Sequence, residues 1–213
     1  MARAAREGTT RGTYAPAETR KALLDSALRL FDVRGYHETS VEDIVSEAGV
    51  TKGALYHHFS GKEEILQQLQ EDYINNRLNN CLRILENHSS AKDRLYHLIL
   101  ESLVAIDQFR SYVTVYVQEK RFLAEERFAT IKEKRDQVDA IYESVIRQGM
   151  DNGEFDPSLE PRITSFAILG MLAWAYNWYS SSGRLRVEEI AGLLTDLVLR
   201  GVGAPPNPGL LPG

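Results

Sequence analysis

The chain has 213 residues, 43% apolar and 26% charged, enough for one substantial core or a small unit joined to a larger one. Its net charge of −5 is unusual for a nucleic-acid binder, and the single cysteine, Cys81, excludes a disulfide framework and a cysteine metal site. The charge is unevenly spread: residues 1–62 carry nine Lys and Arg against eight Asp and Glu, the remainder 16 against 22, so basic character sits in the first third.

The opening run MARAAREGTTRGTYAP has no apolar core and predicts no secretory signal. The longest apolar run, residues 166–176, is too short to span a bilayer. A cytoplasmic protein with no membrane partner is expected. Residues 1–15 are expected to be disordered. Arg3, Arg6 and Arg11 leave two readings open there, an idle tail or a basic arm touching DNA backbone or minor groove.

A helix is predicted over 16–34, with Pro16 in its first turn, Leu23, Leu24, Ala27, Leu30 and Phe31 inward, and Gly35 ending it. Tyr36 is expected to fold back onto it. Ser40 and Asp43 then form a Ser-x-x-Asp start signal, and Val41, Ile44, Val45 and Ala48 make one apolar stripe. Gly49 suits a left-handed stop. Thr51 can cap a second helix whose buried side is Leu55, closed by Phe59. Two short helices joined by a tight turn read as a helix-turn-helix unit, the second helix entering a DNA major groove. An ordinary helical hairpin has the same pattern. The surface chemistry favours DNA, because no acid stands between Thr51 and Lys62.

The residues Gly35-Tyr36, Thr39-Ser40-Val41, Asp43-Ile44, Ala48-Gly49-Val50, Lys52-Gly53, Leu55-Tyr56, Phe59, Lys62-Glu63 and Ile65-Leu66 resemble the TetR-type transcriptional regulators. The resemblance covers about 50 residues without gaps. It implies an all-α homodimer that is not an enzyme: an N-terminal three-helix DNA-binding domain over 16–61, then a C-terminal helical bundle over 62–202 for ligand binding and dimerisation. It also implies DNA contacts at Thr39, Ser40, Thr51, Lys52, Gly53, Tyr56, His57 and Lys62, on a palindromic double-stranded operator.

A long helix is predicted over 62–88, burying Ile65, Leu66, Leu69, Tyr73, Leu78, Leu82 and Leu85; in the family such a helix links the two domains. The next, 91–107, buries Leu95, Leu98, Ile99, Leu103 and Ile106. Residues 109–118 alternate aromatic and β-branched types, which is a strand pattern, yet a lone strand has no partner, so helix is expected. Residues 124–149 form an amphipathic helix on Ile131, Val138, Ile141, Tyr142, Val145 and Ile146, ending in a turn over 151–155. The helix over 160–181 is apolar nearly all round, so one side needs a partner, and Gly170 and Ala173 allow close approach. That predicts a homodimer. A final helix over 187–202 is expected to add Ile190, Leu193, Leu194, Leu197 and Val198 to the bundle. The Pro- and Gly-rich residues 203–213 are expected to be disordered.

No catalytic constellation, phosphate loop or zinc motif is present in the sequence, Cys81 has no basic neighbour to activate it, and no cofactor is expected. For a small-molecule effector, the candidate pocket residues are Phe109, Tyr112, Tyr116, Tyr142, Trp174 and Trp178, and each has a packing role as its alternative. The stretches around 149–155 and 174–191 are similar to regulators of fatty-acid and steroid breakdown (KstR- and FadR-like), which respond to acyl-CoA thioesters. This implies an apolar tunnel with basic residues at its mouth, chosen from Arg110, Lys120, Arg121, Arg135 and Arg162. The rival expectation is a regulator of efflux that answers cationic drugs. Such a pocket needs buried acids, and residues 163–179 contain none.

Overall fold

The computed structural model describes residues 16–119 and 125–203. The expected arm over 1–15, the tail beyond 203, and Lys120 and Arg121 lie outside the described residues. Nine helices and no strand occur among the described residues. They fall into two compact units, Met1–Ile65 and Leu66–Gly213.

In the first unit, α1 (Pro16–Arg34), α2 (Val41–Glu47) and α3 (Lys52–His58) pack pairwise. Leu23, Leu24, Ala27, Leu30 and Phe31 of α1 are all buried. Gly35 stops α1 with φ +83°, and Tyr36 packs edge-on against Phe31, ring centroids 5.3 Å apart. Ser40 caps α2: its Oγ accepts from the Asp43 N–H at 3.1 Å while the Asp43 carboxylate accepts from the Ser40 N–H at 2.9 Å. Ile44 and Val45 supply the buried side of α2, with Val41 and Ala48 only partly covered. Gly49 turns the chain at φ +67°. Thr51 Oγ1 then accepts from the Ala54 N–H at 3.2 Å to start α3, which buries Leu55 completely, with Phe59 closing the core. Burial of Leu55 alone stabilises the unit by about 1.5–3 kcal/mol.

The second unit holds α4 (Lys62–Asn87) after its first four residues, then α5 (Ala91–Gln108), α6 (Arg110–Glu119), α7 (Glu125–Asp151), α8 (Pro161–Trp178) and α9 (Val187–Gly203). Helix α5 packs against α6, α7, α8 and α9. Its sequence explains this: Leu95, Leu98, Ile99, Ser102, Leu103 and Ile106 form one buried face. Ser90 caps it through the Asp93 N–H (3.1 Å), and the Glu154 carboxylate accepts from the N–H groups of Ala91 and Lys92 at 3.0 and 3.1 Å. The turn after α7 passes through Gly153 at φ +71° and seats Phe155 so tightly on Gly149 that a Cβ there would lie 2.1 Å from the ring.

Residues 110–119 are helical, and α6 lies against both α5 and α8. Val113 and Val115, on opposite sides of the helix, are both buried. The strand-like alternation therefore marks a helix covered on two sides.

Expectations about inward faces fail on α4 and α9, and α8, apolar nearly all round, buries one side only. On α4 the buried stripe passes from Leu69 to Ile74 and Cys81, while Leu82 is exposed and Leu78 and Leu85 only partly covered. The stripe includes Arg77, and a charged residue on the inner face hid it. On α8, Ser165, Ile168, Leu172 and Ala175 face inward, while Ile163, Phe166, Trp174 and Trp178 are exposed. On α9, Ala191, Thr195 and Val202 are inward, and Leu193 and Leu197 stand about 60% exposed. Helical spacing places the larger leucines outward.

Candidate functional site

The first candidate surface is the outer side of α3. Tyr56 is 57% exposed. Thr51, Lys52, Gly53 and His57 are exposed beside it. Gly53 has no packing reason to lack a side chain, since a Cβ would meet only Thr51 Oγ1, at 3.8 Å. Lys52 is not free of acid: its ammonium is bound to the Glu42 carboxylate of α2. Glu42 holds the Lys52 pKa up, chiefly by hydrogen bonding, and Lys52 holds Glu42 below its ordinary value. The sequence shows α3 to be free of acids but not the acid that α2 brings to it.

Two of the eight expected DNA contacts have another role. Thr39 is buried, and its hydroxyl donates to the Gly35 carbonyl at 2.9 Å, so the side chain cannot reach a phosphate. Lys62 donates to the carbonyl oxygens of Tyr36, His37 and Thr39 at 2.9, 3.3 and 2.8 Å, using all three ammonium hydrogens inside the unit. Ser40 is half-buried, and its hydroxyl donates to Asp43.

The second candidate site is a cavity in the second unit. One lobe, about 200 Å³, is lined by Asp72, Tyr73, Asn76, Arg77, Glu101, Ala105, Phe109 and Tyr112. Another, about 220 Å³, is lined mainly by Ile74, Ile106, Val113, Tyr116, Val117, Val138, Leu169, Leu172 and Ala173, with Arg135 and Asp139 among them. Tyr73 and Arg77 line both lobes, and the Tyr73 and Tyr116 rings meet at 4.7 Å. A surface groove of about 420 Å³ lined by Lys132, Arg135, Asp139, Arg162 and Phe166 shares Arg135 and Asp139 with the second lobe.

Arg77 is the polar centre of this cavity. Its guanidinium lies 3.4 Å from Glu101 and donates to Ser102 Oγ at 3.0 Å, and Asn80 donates to the same Glu101. Burial works against its charge, and Glu101, with Tyr142 and Tyr73, outweighs it, so its pKa stays well above the ordinary value. Burial raises the Asp139 carboxyl, with Arg135 opposing. It also pushes the Tyr116 hydroxyl up to about 12 and the Cys81 thiol to about 12, which leaves Cys81 unreactive.

Of the expected pocket residues, Phe109, Tyr112 and Tyr116 line the cavity. Tyr142 is fully buried beneath it, bonded to Ser102 Oγ and the Leu98 carbonyl, both at 3.0 Å. Trp174 and Trp178 do not belong to it. They lie on the outer face of α8, which has a buried side of smaller residues. Arg110 is also corrected: it donates to the carbonyls of Tyr176 and Tyr179, closing the end of α8. Sequence reasoning missed Tyr73, Arg77, Glu101 and Asp139. Their signal was polar residues falling on otherwise apolar helical stripes. The acids sought in 163–179 come instead from α4, α5 and α7.

The family described as "Bacterial regulatory proteins, tetR family" matches residues 23–69, and "Tetracyclin repressor-like, C-terminal domain" matches residues 88–202. The HTH-type transcriptional repressor KstR2 of Rhodococcus jostii (strain RHA1) is 31% identical over 88% of this chain and 93% of its own. The ketosteroid transcriptional regulator KstR2 of Mycobacterium tuberculosis has a similar structure, TM-score 0.80 at 29% identity over 87% of this chain and 95% of that one. AibR, in complex with isovaleryl coenzyme A and operator DNA, superposes with TM-score 0.77 at 26% identity over 84% and 97%.

Proposed function

The chain belongs to the TetR family of bacterial regulatory proteins, a transcriptional repressor rather than an enzyme, and on that premise we propose that an acyl-CoA thioester of fatty-acid or steroid catabolism releases it from a palindromic operator. The observation that carries the DNA half is Gly53, a glycine in an exposed helical turn where the fold itself has room for a side chain. Glycine there costs helix stability. A reading helix that must lie close to DNA gains from it. Around Gly53, Thr51, Tyr56 and His57 offer donors to phosphate oxygens and Lys52 to guanine edges, Lys52 exchanging Glu42 for DNA.

The effector reading rests on the mostly apolar second lobe and the groove that continues from it past Lys132, Arg135 and Arg162. An acyl group suits the lobe, and phosphates suit the basic side of the groove, with Asp136, Asp139 and Glu143 restricting where they can sit. The relatives named for ketosteroid regulation and for isovaleryl coenzyme A agree with this class. A cationic drug is less suited, because each acid of the cavity already faces a partner: Glu101 pairs with Arg77, the Arg135 charge acts on Asp139, and Asp72 accepts from Gln68.

Helix α4 supplies the coupling. Lys62 at its start holds the carbonyls before the reading motif, and Tyr73, Ile74 and Arg77 further along line the cavity. A ligand that prefers one setting of α4 changes the fit to DNA only through that difference in affinity. The exposed apolar residues Trp174 and Trp178 of α8 and Leu193 and Leu197 of α9 are the proposed homodimer face. A gel-shift titration of the operator complex with long-chain and steroid acyl-CoAs tests the reading. Release is expected, and no release by any thioester removes this effector class.

A further inference from the structure

We propose that His88, Asp93 and His97 bind one first-row transition-metal ion of the imidazole-preferring class (Zn²⁺, Co²⁺, Ni²⁺ or Cu²⁺) where α4 meets α5. Neither the DNA surface nor the cavity uses these residues, so the proposal stands apart from the function above. Asp93 and His97 are four residues apart on α5 and so share one face. His88 reaches them from the turn after α4. One ligand atom from each lies within 4.8 Å of the other two. His88 Nδ1 is 2.5 Å from one Asp93 oxygen, and His97 Nε2 is 3.5 Å from the other.

An ion with bonds of about 2.0–2.2 Å spaces tetrahedral ligand atoms roughly 3.4 Å apart, close to the present separations, so the backbone can stay in place while the side chains turn. The backbone that carries the ligands is already pinned. Arg94 donates to the carbonyls of Leu85 and His88, both at 2.7 Å, and Gln148 donates to Ser89 at 2.9 Å. Pinning lowers the ordering cost of binding. Side-chain exposures of 25%, 48% and 32% leave space for water to complete the coordination. The His88 and His97 rings stack at 3.8 Å, 22° from parallel. A shared ion must lie in the plane of both rings, so binding turns them about χ2 and breaks the stack. The competing use of the cluster is a plain ion pair, Asp93 shared between two histidines.

The test uses the full chain without a tag: competition with a chromophoric chelator for Zn²⁺, the visible spectrum with Co²⁺, and melting with and without each ion. The expected result is one ion per chain and a raised Tm. His88→Gln and His97→Gln should each lose affinity by about tenfold or more, and His57→Gln should lose none. Circular dichroism checks that the variants fold, and the wild-type Co²⁺ spectrum reads nitrogen ligation without any substitution. Failure of all four ions to bind at millimolar concentration overturns the site. So does binding that both histidine variants leave undiminished.

Discussion

Lys62 donates through Nζ to the Thr39 carbonyl at 2.8 Å, joining two residues for which only the family resemblance implied phosphate contacts. Its other hydrogens go to Tyr36 and His37, and the ammonium lies 4.4 Å from the centre of the Tyr36 ring. This lysine closes the α1–α2 turn. Lys62→Met, which keeps the apolar stem, should cost about 1.5–3 kcal/mol in denaturant melts, the scale of a hydrogen bond to a charged group. The slope of log affinity against log salt should stay as in the wild type. A fall of about 0.9 would instead make Lys62 a phosphate contact.

Gly53→Ala separates folding from DNA reading. The added methyl has room beside Thr51 and relieves the conformational freedom of glycine. The fold should gain up to about 1 kcal/mol, while operator affinity falls. Thermal melts and fluorescence anisotropy on one operator measure both quantities. Unchanged affinity would show that α3 does not approach DNA at this turn.

Arg77 and Glu101 are 13% and 12% exposed at the side chain, so each depends on the other. Arg77→Met leaves the buried Glu101 carboxylate with no opposite charge and only the Asn80 amide as a partner, and should cost about 3–5 kcal/mol. Adding Glu101→Leu should recover most of that stability. The double variant should also lose the effector response, because both residues line the cavity. Denaturant titration of the two variants checks the first point and anisotropy with ligand the second.

The parts of this fold that were legible in the sequence are those written in local chemistry. Ser40 with Asp43, Gly49 and Thr51 announced their helix ends, and Leu55 and Phe59 their core, because capping and periodicity act within a few residues. The cavity was half legible. Phe109, Tyr112 and Tyr116 were visible as aromatics, whereas Arg77 and Glu101 break the apolar stripes that reveal helix faces. Trp174 and Trp178 misled for the opposite reason: size does not say which side of an apolar helix faces the core. Glu42 beside Lys52, and the carbonyl cage around Lys62, arise from tertiary contacts that no spacing encodes.

Glu154 makes the second unit sensitive to acid. Burial raises its carboxyl, but hydrogen bonds from Ala91 and Lys92, the Lys92 charge and Asn152 outweigh it and hold the pKa below the ordinary 4.5. A depressed carboxylate contributes stability above its unfolded pKa and loses it as pH falls through the folded value. Stability should therefore decline as pH drops below 4.5. Glu154→Gln should flatten that part of the decline and cost about 0.3–1 kcal/mol at neutral pH, by removing a charge from the α5 N-terminus. Melts across the acid range compare the two.

The coupling between cavity and operator is tested most directly by a closed binding cycle. Operator affinity of the full chain is measured with and without saturating acyl-CoA, and acyl-CoA affinity with and without operator. The account predicts that the thioester weakens DNA binding and that operator weakens thioester binding by the same factor. Operator affinity that stays the same while the thioester is bound in the cavity would contradict it.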